Sequence, residues 1–340
     1  MTRYIGIDLH TNSFTTCILQ DGEAEKIQTL PLQGGGLGRF IETLQPDDEL
    51  AVEATGNSAW FREQVIGYVA RVVIIAPWQF EVIRRSVKKT DKHDARAIAF
   101  FLSKGMVPEA RLRSKIHMEL ASAIATRDQL VKLRVSLLNK AHGLFNRHGI
   151  KIKKETLTSK IGFERAVNNH VWEPLEQVEL EVISAQLAAI RESDKRLKAE
   201  ITAVAKTLSG YDSLISIKGI GPLSAAIFLC TIGDIEDFAK CGNLAAYFGI
   251  TPRVSQSNDS QRVGRITKRG NKIARTTLVQ CTLIAKRYSP YLHSFYEHIK
   301  STLGAGKAII ATARKLLNTI FHTLKNNWVF EDFTQFKLST

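Results

Sequence analysis

An α/β amino-terminal domain, a long helical arm and an α-helical carboxy-terminal domain are predicted by three features of the 340-residue sequence. Short β-type runs alternate with helical segments over the first hundred residues. Apolar residues then repeat every seven positions in a long segment after Pro174. Beyond Gly210, short helical segments separated by glycine-rich turns accompany a one-sided cluster of Lys and Arg. The boundaries these features suggest are residues 1–108, 109–209 and 210–340.

In the first part, residues 4–10 and 14–19 are β-type runs separated by Thr11-Asn12-Ser13, which predicts a hairpin, and residues 24–32 supply a third strand. Gly34-Gly35-Gly36 breaks the pattern. Residues 37–44 read as helix, 49–54 as a short apolar strand, 58–69 as an amphipathic helix, and 71–76 as a β-branched run closed by Pro77. Three antiparallel strands followed by helix, strand, helix and strand is the ribonuclease-H order. A helix over residues 91–104 is expected to pack on that sheet through Ile98, Phe101 and Leu102.

Residues 116–147 are helical and basic, with Leu120, Ile124, Val131, Leu137 and Leu144 at core-like spacing and Lys132, Arg134, Lys140 and Arg147 between them. After Pro174, Ile183, Ile190, Leu197 and Val204 form one heptad position and Leu187, Ile201 and Leu208 the other, where Asp194 is the polar interruption. Such a seam suits either an intramolecular helical hairpin or a dimer contact. Further on, Ile217-Lys218-Gly219-Ile220-Gly221-Pro222 before a helix has the helix-hairpin-helix pattern, in which Gly219 and Gly221 let backbone approach a phosphate beside Lys218. A glycine-rich turn between two packed helices is the alternative.

Lys and Arg outnumber Asp and Glu by 47 to 33, a formal charge of +14, with a pI near 9.6. From residue 253 to 287 the cations Arg253, Arg262, Arg265, Lys268, Arg269, Lys272, Arg275, Lys286 and Arg287 face a single acid, Asp259. Clustering of that kind is expected of a phosphate-binding surface. No apolar run approaches the roughly 20 residues that span a bilayer, and the amino terminus does not read as a signal peptide, so a cytoplasmic protein is expected. Cys17, Cys230, Cys241 and Cys281 form no C-x-x-C pair, which argues against zinc and for reduced thiols.

Of four candidate carboxylates, Asp8 and Glu53 sit where acids are unfavourable without a purpose. Asp8 ends an apolar strand on the face opposite Ile5, Ile7 and Leu9, and Glu53 lies within the apolar run Leu50-Ala51-Val52-Glu53-Ala54. Asp91 and Asp94, three apart at a helix start, share a face, although Asp91 as an N-cap and Asp94 as a partner of the helix dipole would be ordinary roles. Converging carboxylates raise one another's pKa, and a divalent cation reverses that penalty. Mg2+ or Mn2+, with oxygen ligands and an affinity for phosphate, points to phosphodiester chemistry.

The segments Ile5-Gly6-Ile7-Asp8, Val52-Glu53-Ala54-Thr55-Gly56, Lys89-Thr90-Asp91-Lys92-His93-Asp94-Ala95, Gly249-Ile250-Thr251-Pro252 and Gly264-Arg265-Ile266-Thr267-Lys268-Arg269-Gly270-Asn271, in that order, resemble the DEDD transposases of the insertion-sequence-110 family, a group that includes Piv-type invertases. The resemblance spans nearly the whole chain. It implies a RuvC-like amino-terminal domain, a coiled-coil arm and a transposase domain, with Asp8, Glu53, Asp91 and Asp94 holding the metal. It also implies a serine nucleophile that forms a phosphoserine link to DNA; the matching position is Ser257, with Ser255 and Ser260 as neighbours that could hold the role and Asn258 where the family usually has Gly. Further implications are a guide (bridge) RNA, donor and target DNA as substrates, and a dimer or tetramer. Two other readings of the residues stand beside this one: a RuvC-like nuclease in which water attacks, and a non-catalytic nucleic-acid scaffold.

Overall fold

The computed structural model describes residues 2–20, 22–76, 90–111, 113–257 and 260–331. By its contacts the chain divides into two compact units, Met1–Leu112 and Arg113–Thr340.

The first unit is built on five strands: β1 (Tyr4–Leu9), β2 (Ser13–Gln20), β3 (Glu23–Pro31), β4 (Glu49–Glu53) and β5 (Arg71–Ile75). Their spatial order is β3-β2-β1-β4-β5. β1–β2 and β2–β3 pair antiparallel, β1–β4 and β4–β5 parallel. This is the order the sequence predicts, and it makes the strands of Asp8 and Glu53 neighbours. Alternation along the strands divides the side chains between two faces. One face, with Ile5, Ile7, Leu9, Leu50 and Val52, is covered by α1 (Gly36–Ile41) and α2 (Ser58–Val65), where Phe14 meets Phe40 and Phe61 edge-on, both at 5.3 Å between ring centres. The other face, with Ala51, Val73 and Ile75, packs on α3 (Asp91–Ser103) through Ile98 and Leu102. At the opposite end of the sheet from the carboxylates, Arg3 clamps the buried Asp48 with two hydrogen bonds of 2.8 and 2.7 Å.

Element ends differ from expectation where side chains compete for backbone groups. α1 stops at Ile41, and the amphipathic segment after Ser58 tightens into a 3-10 turn over Ile66–Tyr68. Thr43 Oγ1 donates to the Phe40 carbonyl, 2.7 Å away, satisfying a group that a longer α1 would have needed. The expected breaker Pro77 lies outside the described residues.

The second unit opens with two 33-residue helices, α4 (Lys115–Arg147) and α7 (Pro174–Lys206), joined through α5 (Lys154–Thr158) and α6 (Lys160–Asn168). Ion pairs along their contact, Arg127 with Asp194, Lys140 with Glu179 and Arg147 with Glu176, run in opposite sequence directions, so the helices are antiparallel. Within one chain the heptad seam is thus an intramolecular contact: Ile183 and Leu187 join Ala141, Leu144 and Phe145, while Ile201 joins Leu120 and Ile124. Asp194, the polar break in the repeat, lies between these two apolar clusters, its Oδ1 2.9 Å from Arg127 Nε at ion-pair distance without hydrogen-bond alignment.

The rest of the unit comprises α8 (Tyr211–Ile215), α9 (Pro222–Ile232), α10 (Cys241–Tyr247), the strands β6 (Pro252–Ser257) and β7 (Ser260–Ile266), and the helices α11 (Lys272–Tyr288), α12 (Pro290–Leu303) and α13 (Ala305–Lys325). The expectation of an all-helical domain needs correction here, because β6 and β7 pair as an antiparallel hairpin. Residues 252–266 lack a 3.6-residue apolar period, and their Val254 and Val263 sit opposite each other in the ladder. A second adjustment concerns Gly219. At φ +106° it backs onto α11, where an added Cβ would lie 2.7 Å from the Ala285 nitrogen, so close helix packing requires this glycine.

Among the described residues, no helix is long and apolar enough to cross a membrane. Cys17, Cys230 and Cys281 are buried thiols, and burial raises the pKa of all three.

Candidate functional site

The carboxylates gather because a glycine lets a helix come close. Gly6 shares its face of β1 with Asp8, and an added Cβ there would lie 2.1 Å from the Ala95 carbonyl oxygen and 2.4 Å from the Ala99 nitrogen. The backbone of α3 therefore rests directly on β1, which carries its first turn to the carboxyl end of the strand. Thr90 caps that turn: its hydroxyl accepts from the His93 amide at 3.3 Å. Asp91 is thus not the N-cap, and its carboxylate is left to face β1.

On the sheet side, β1 and β4 run parallel with Ile7 opposite Val52, so the same register places Asp8 beside Glu53. Asp8 is buried, Glu53 and Asp94 are half-buried, and Asp91 is exposed. Burial raises the pKa of Asp8 above its ordinary value; the adjacent His10 pulls it down, and the charges of Asp91, Asp94 and Glu53 push it up further. The other three carboxylates of the sequence reading thus all act on Asp8 within one unit.

His10 is the member that the sequence reading missed. Its Nε2 lies 3.4 Å from Asp8 Oδ2 and 3.4 Å from Asp91 Oδ2. Asp8, His10 and Asp91 each offer a ligand atom within 4.8 Å of the others. The signal was available: His10 is two residues after Asp8, on the same strand face by alternation. The donor set fits a divalent cation, since a metal would offset the burial and the repulsion that raise Asp8. Asn57 fixes the adjoining loops by donating to the His10 carbonyl at 3.0 Å and accepting from Thr55 Oγ1 at 2.9 Å. Beside them opens a cleft of about 680 Å³ lined by His10, Asn12, Thr55 and Asn57, roomy enough for a phosphate-bearing strand.

The remaining predicted site residues lie in the second unit. Ser257 ends β6, its backbone in register with Ser260, and Ser255 is in register with Arg262. Asn258 and Asp259 lie outside the described residues, as do the side chains of Ser255, Ser257, Ser260 and Arg262. The two motifs flanking the hairpin are brought together by glycine. Gly249 and Gly270, at φ +68° and +130°, allow their segments to touch, since an added Cβ would lie 2.2 Å from the Arg269 carbonyl oxygen and 2.1 Å from that of Tyr247. Backbone bonds from Thr267 to Thr251 (2.9 Å) and from Lys268 to Gly249 (3.0 Å) close the base. Asn271 then caps α11, accepting from the Ile273 and Ala274 amides at 2.9 and 3.1 Å.

Arg253, Arg265, Lys268, Arg269 and Lys272 are exposed around this base, as a phosphate-binding surface requires. Two arginines also hold the loop together: Arg253 Nη2 donates to the Thr267 carbonyl at 3.4 Å, and the half-buried Arg275 donates from Nη1 to the carbonyls of Phe248 and Lys268, both at 3.3 Å. Lys218 and Gly221 are exposed at the turn before α9.

Comparison with known proteins places two family matches along the chain, the first of which runs past Leu112 into α4. Residues 5–150 match a profile described as a transposase, the DEDD type of IS110, and residues 211–297 match one described as "Transposase IS116/IS110/IS902 family". A "Probable family 20 transposase" of Pseudomonas aeruginosa is 28% identical over 68% of this chain and 69% of its own. The "Transposase for insertion sequence element IS1111A" of Coxiella burnetii is 24% identical over 82% and 76%. The "Pilin gene-inverting protein" of Moraxella bovis is 25% identical over 96% and 97%.

Proposed function

The chain belongs to the IS110 family of transposases, and from that premise we propose a metal-dependent recombinase of an insertion sequence that cuts and rejoins DNA through a phosphoserine intermediate. The observation that carries the metal half is the gathering of Asp8 and Asp91 around His10, with Glu53 and Asp94 close enough to act on Asp8, at the ends of β1 and β4 and the start of α3. Those residues, with His10 beside them, would hold Mg2+ or Mn2+. When bound, the cation neutralises charge on the scissile phosphate.

The nucleophile in this reading is Ser257. Its Oγ attacks phosphorus, the sugar oxygen of the cut strand leaves and takes up a proton, and a phosphoserine link retains the ester. Attack by the hydroxyl of the incoming strand then releases the serine and seals the new joint. Support comes from the family match across residues 211–297, which includes Ser257, and from the exposed cations at the hairpin base. Two duplexes must be cut and joined, so the reading includes a dimer or tetramer. A guide RNA pairing with donor and target DNA belongs to the same proposal, and the net charge of +14 suits that load.

Trapping tests it. Wild-type chain incubated with labelled DNA and Mg2+, then denatured, should retain label, and Ser257→Ala should not. A Ser257→Ala chain that still joins strands rejects the serine. Hydrolytic nicking without trapped label in the wild type would favour the plain RuvC-like nuclease. Recombination surviving Asp8→Ala would reject the metal site and favour a scaffold. RNA that co-purifies as one discrete structured species supports the guide, and random cellular RNA counts against it.

A further inference from the structure

A groove of about 1100 Å³ runs through the second unit between the base of the β-hairpin and the helices α12 and α13. Its floor is apolar, formed by Ile250, Ile266, Ile310 and Leu303 with the half-buried ring of Phe295. Its rim is cationic, carrying Arg265, Lys268, Lys307, Arg314 and Lys315, and among the described residues no acid lines it. Lys307, Ile310, Ala311 and Arg314 share one face of α13 by their spacing, so the helix supplies both floor and rim. Among the described residues none of the five rim cations lies at ion-pair distance from a carboxylate. Lys315 instead has its Nζ 5.3 Å from the centre of Phe295 and 5.7 Å from that of Tyr291.

We propose that this groove binds single-stranded DNA, with bases on the apolar floor and phosphates along the rim. The inference rests on the DNA-handling reading above and deepens it by naming the form of DNA and where it lies. Unpaired cations beside an exposed apolar surface need a ligand that is anionic along one edge and apolar along the other. Duplex DNA offers the first without the second, because its bases are stacked inside. An unpaired strand offers both, and a ring such as Phe295 next to a cation is a stacking platform for a base. Among the described residues of the lining Asn318 is the one neutral polar side chain, which favours DNA over an RNA whose 2′-hydroxyls would call for such partners. Transient single strands arise whenever two duplexes exchange strands.

The test is fluorescence anisotropy on the full chain without divalent metal, using a short oligothymidylate, the matching oligouridylate, a hairpin duplex and an acidic amphipathic peptide. Oligothymidylate should bind more tightly than oligouridylate and the peptide. Lys307→Gln with Arg314→Gln should weaken it by about tenfold and lower the salt slope by about 1.4, two phosphates at roughly 0.7 each. Duplex binding, carried by other cations, should change less than about twofold on that reasoning. Ile310→Gln, which leaves the rim charges unchanged, should weaken oligothymidylate similarly, and Lys307→Arg with Arg314→Lys should restore it. Circular dichroism verifies that each variant is folded. The proposal is overturned by variants that bind oligothymidylate as the wild type does, by an equal loss for duplex, or by tighter binding of oligouridylate or the peptide. Because no cleavage is read, failure here leaves the catalytic proposal standing, and failure of Ser257 trapping leaves this one standing.

Discussion

Gly6→Ala is the sharpest perturbation of the proposed metal site that substitutes none of its carboxylates. The new methyl would lie 2.1 Å from the Ala95 carbonyl oxygen and 2.4 Å from the Ala99 nitrogen, both backbone atoms that no rotamer change can move. To reach ordinary contact near 3.4 Å, α3 must retreat from β1 by about 1 Å, an overpacking that costs about 1–3 kcal/mol. The retreat carries Asp91 and Asp94 away from Asp8 and Glu53. A displacement of about 1 Å can cost on the order of 100-fold in rate. Urea unfolding without metal gives the stability loss, calorimetric titration with Mn2+ gives the weakened site, and a strand-cleavage assay gives the rate. A Gly6→Ala chain as stable, as tightly metal-binding and as active as wild type would refute the claim that this close approach assembles the carboxylates.

Other perturbations test separate parts. Raised by burial and by three neighbouring acids, the Asp8 pKa lies above its ordinary value of 3.8, so ionised Asp8 costs the metal-free fold. Its contribution is most favourable below the unfolded carboxylate pKa and is lost as pH rises through the folded one. Asp8→Asn should therefore raise the melting temperature of the metal-free chain at neutral pH, with the difference closing under acid; equal melting at neutral pH contradicts this. His10→Ala should weaken Mn2+ binding by about ten- to a hundredfold whether His10 ligates or orients Asp8 and Asp91, and unchanged calorimetry would remove it from the site. Asp48 is fully buried against Arg3, so Arg3→Met should cost about 3–5 kcal/mol in urea unfolding, a loss that Arg3→Met with Asp48→Leu largely recovers. Finally, Thr90→Val should cost about 1 kcal/mol through the lost cap, and hydrogen exchange should quicken at His93 and Asp94.

Much of the first unit was legible because strand alternation and helix spacing are local. Asp8 and Glu53 stood out as acids in apolar strands, and the strand order followed from the succession of elements. The hairpin β6–β7 was not legible, since a polar segment carries no apolar period, and its pairing depends on the two glycine contacts at its base. Gly219 matched a phosphate-approach pattern, yet the same conformation serves packing against Ala285. Arg275 looked like any other member of a basic cluster until its hydrogen bonds to two carbonyls were seen.

By itself the sequence determined the family and put four carboxylates forward as candidate ligands, because these depend on residue type and order along the chain. Only the tertiary structure decided which groups meet. It brought His10 between Asp8 and Asp91, gave the cap of α3 to Thr90, and turned the heptad seam inward onto its own chain. Each outcome depends on distances between segments far apart in sequence, set by how closely two backbones pack, and at Gly6 that distance turns on the absence of one methyl group.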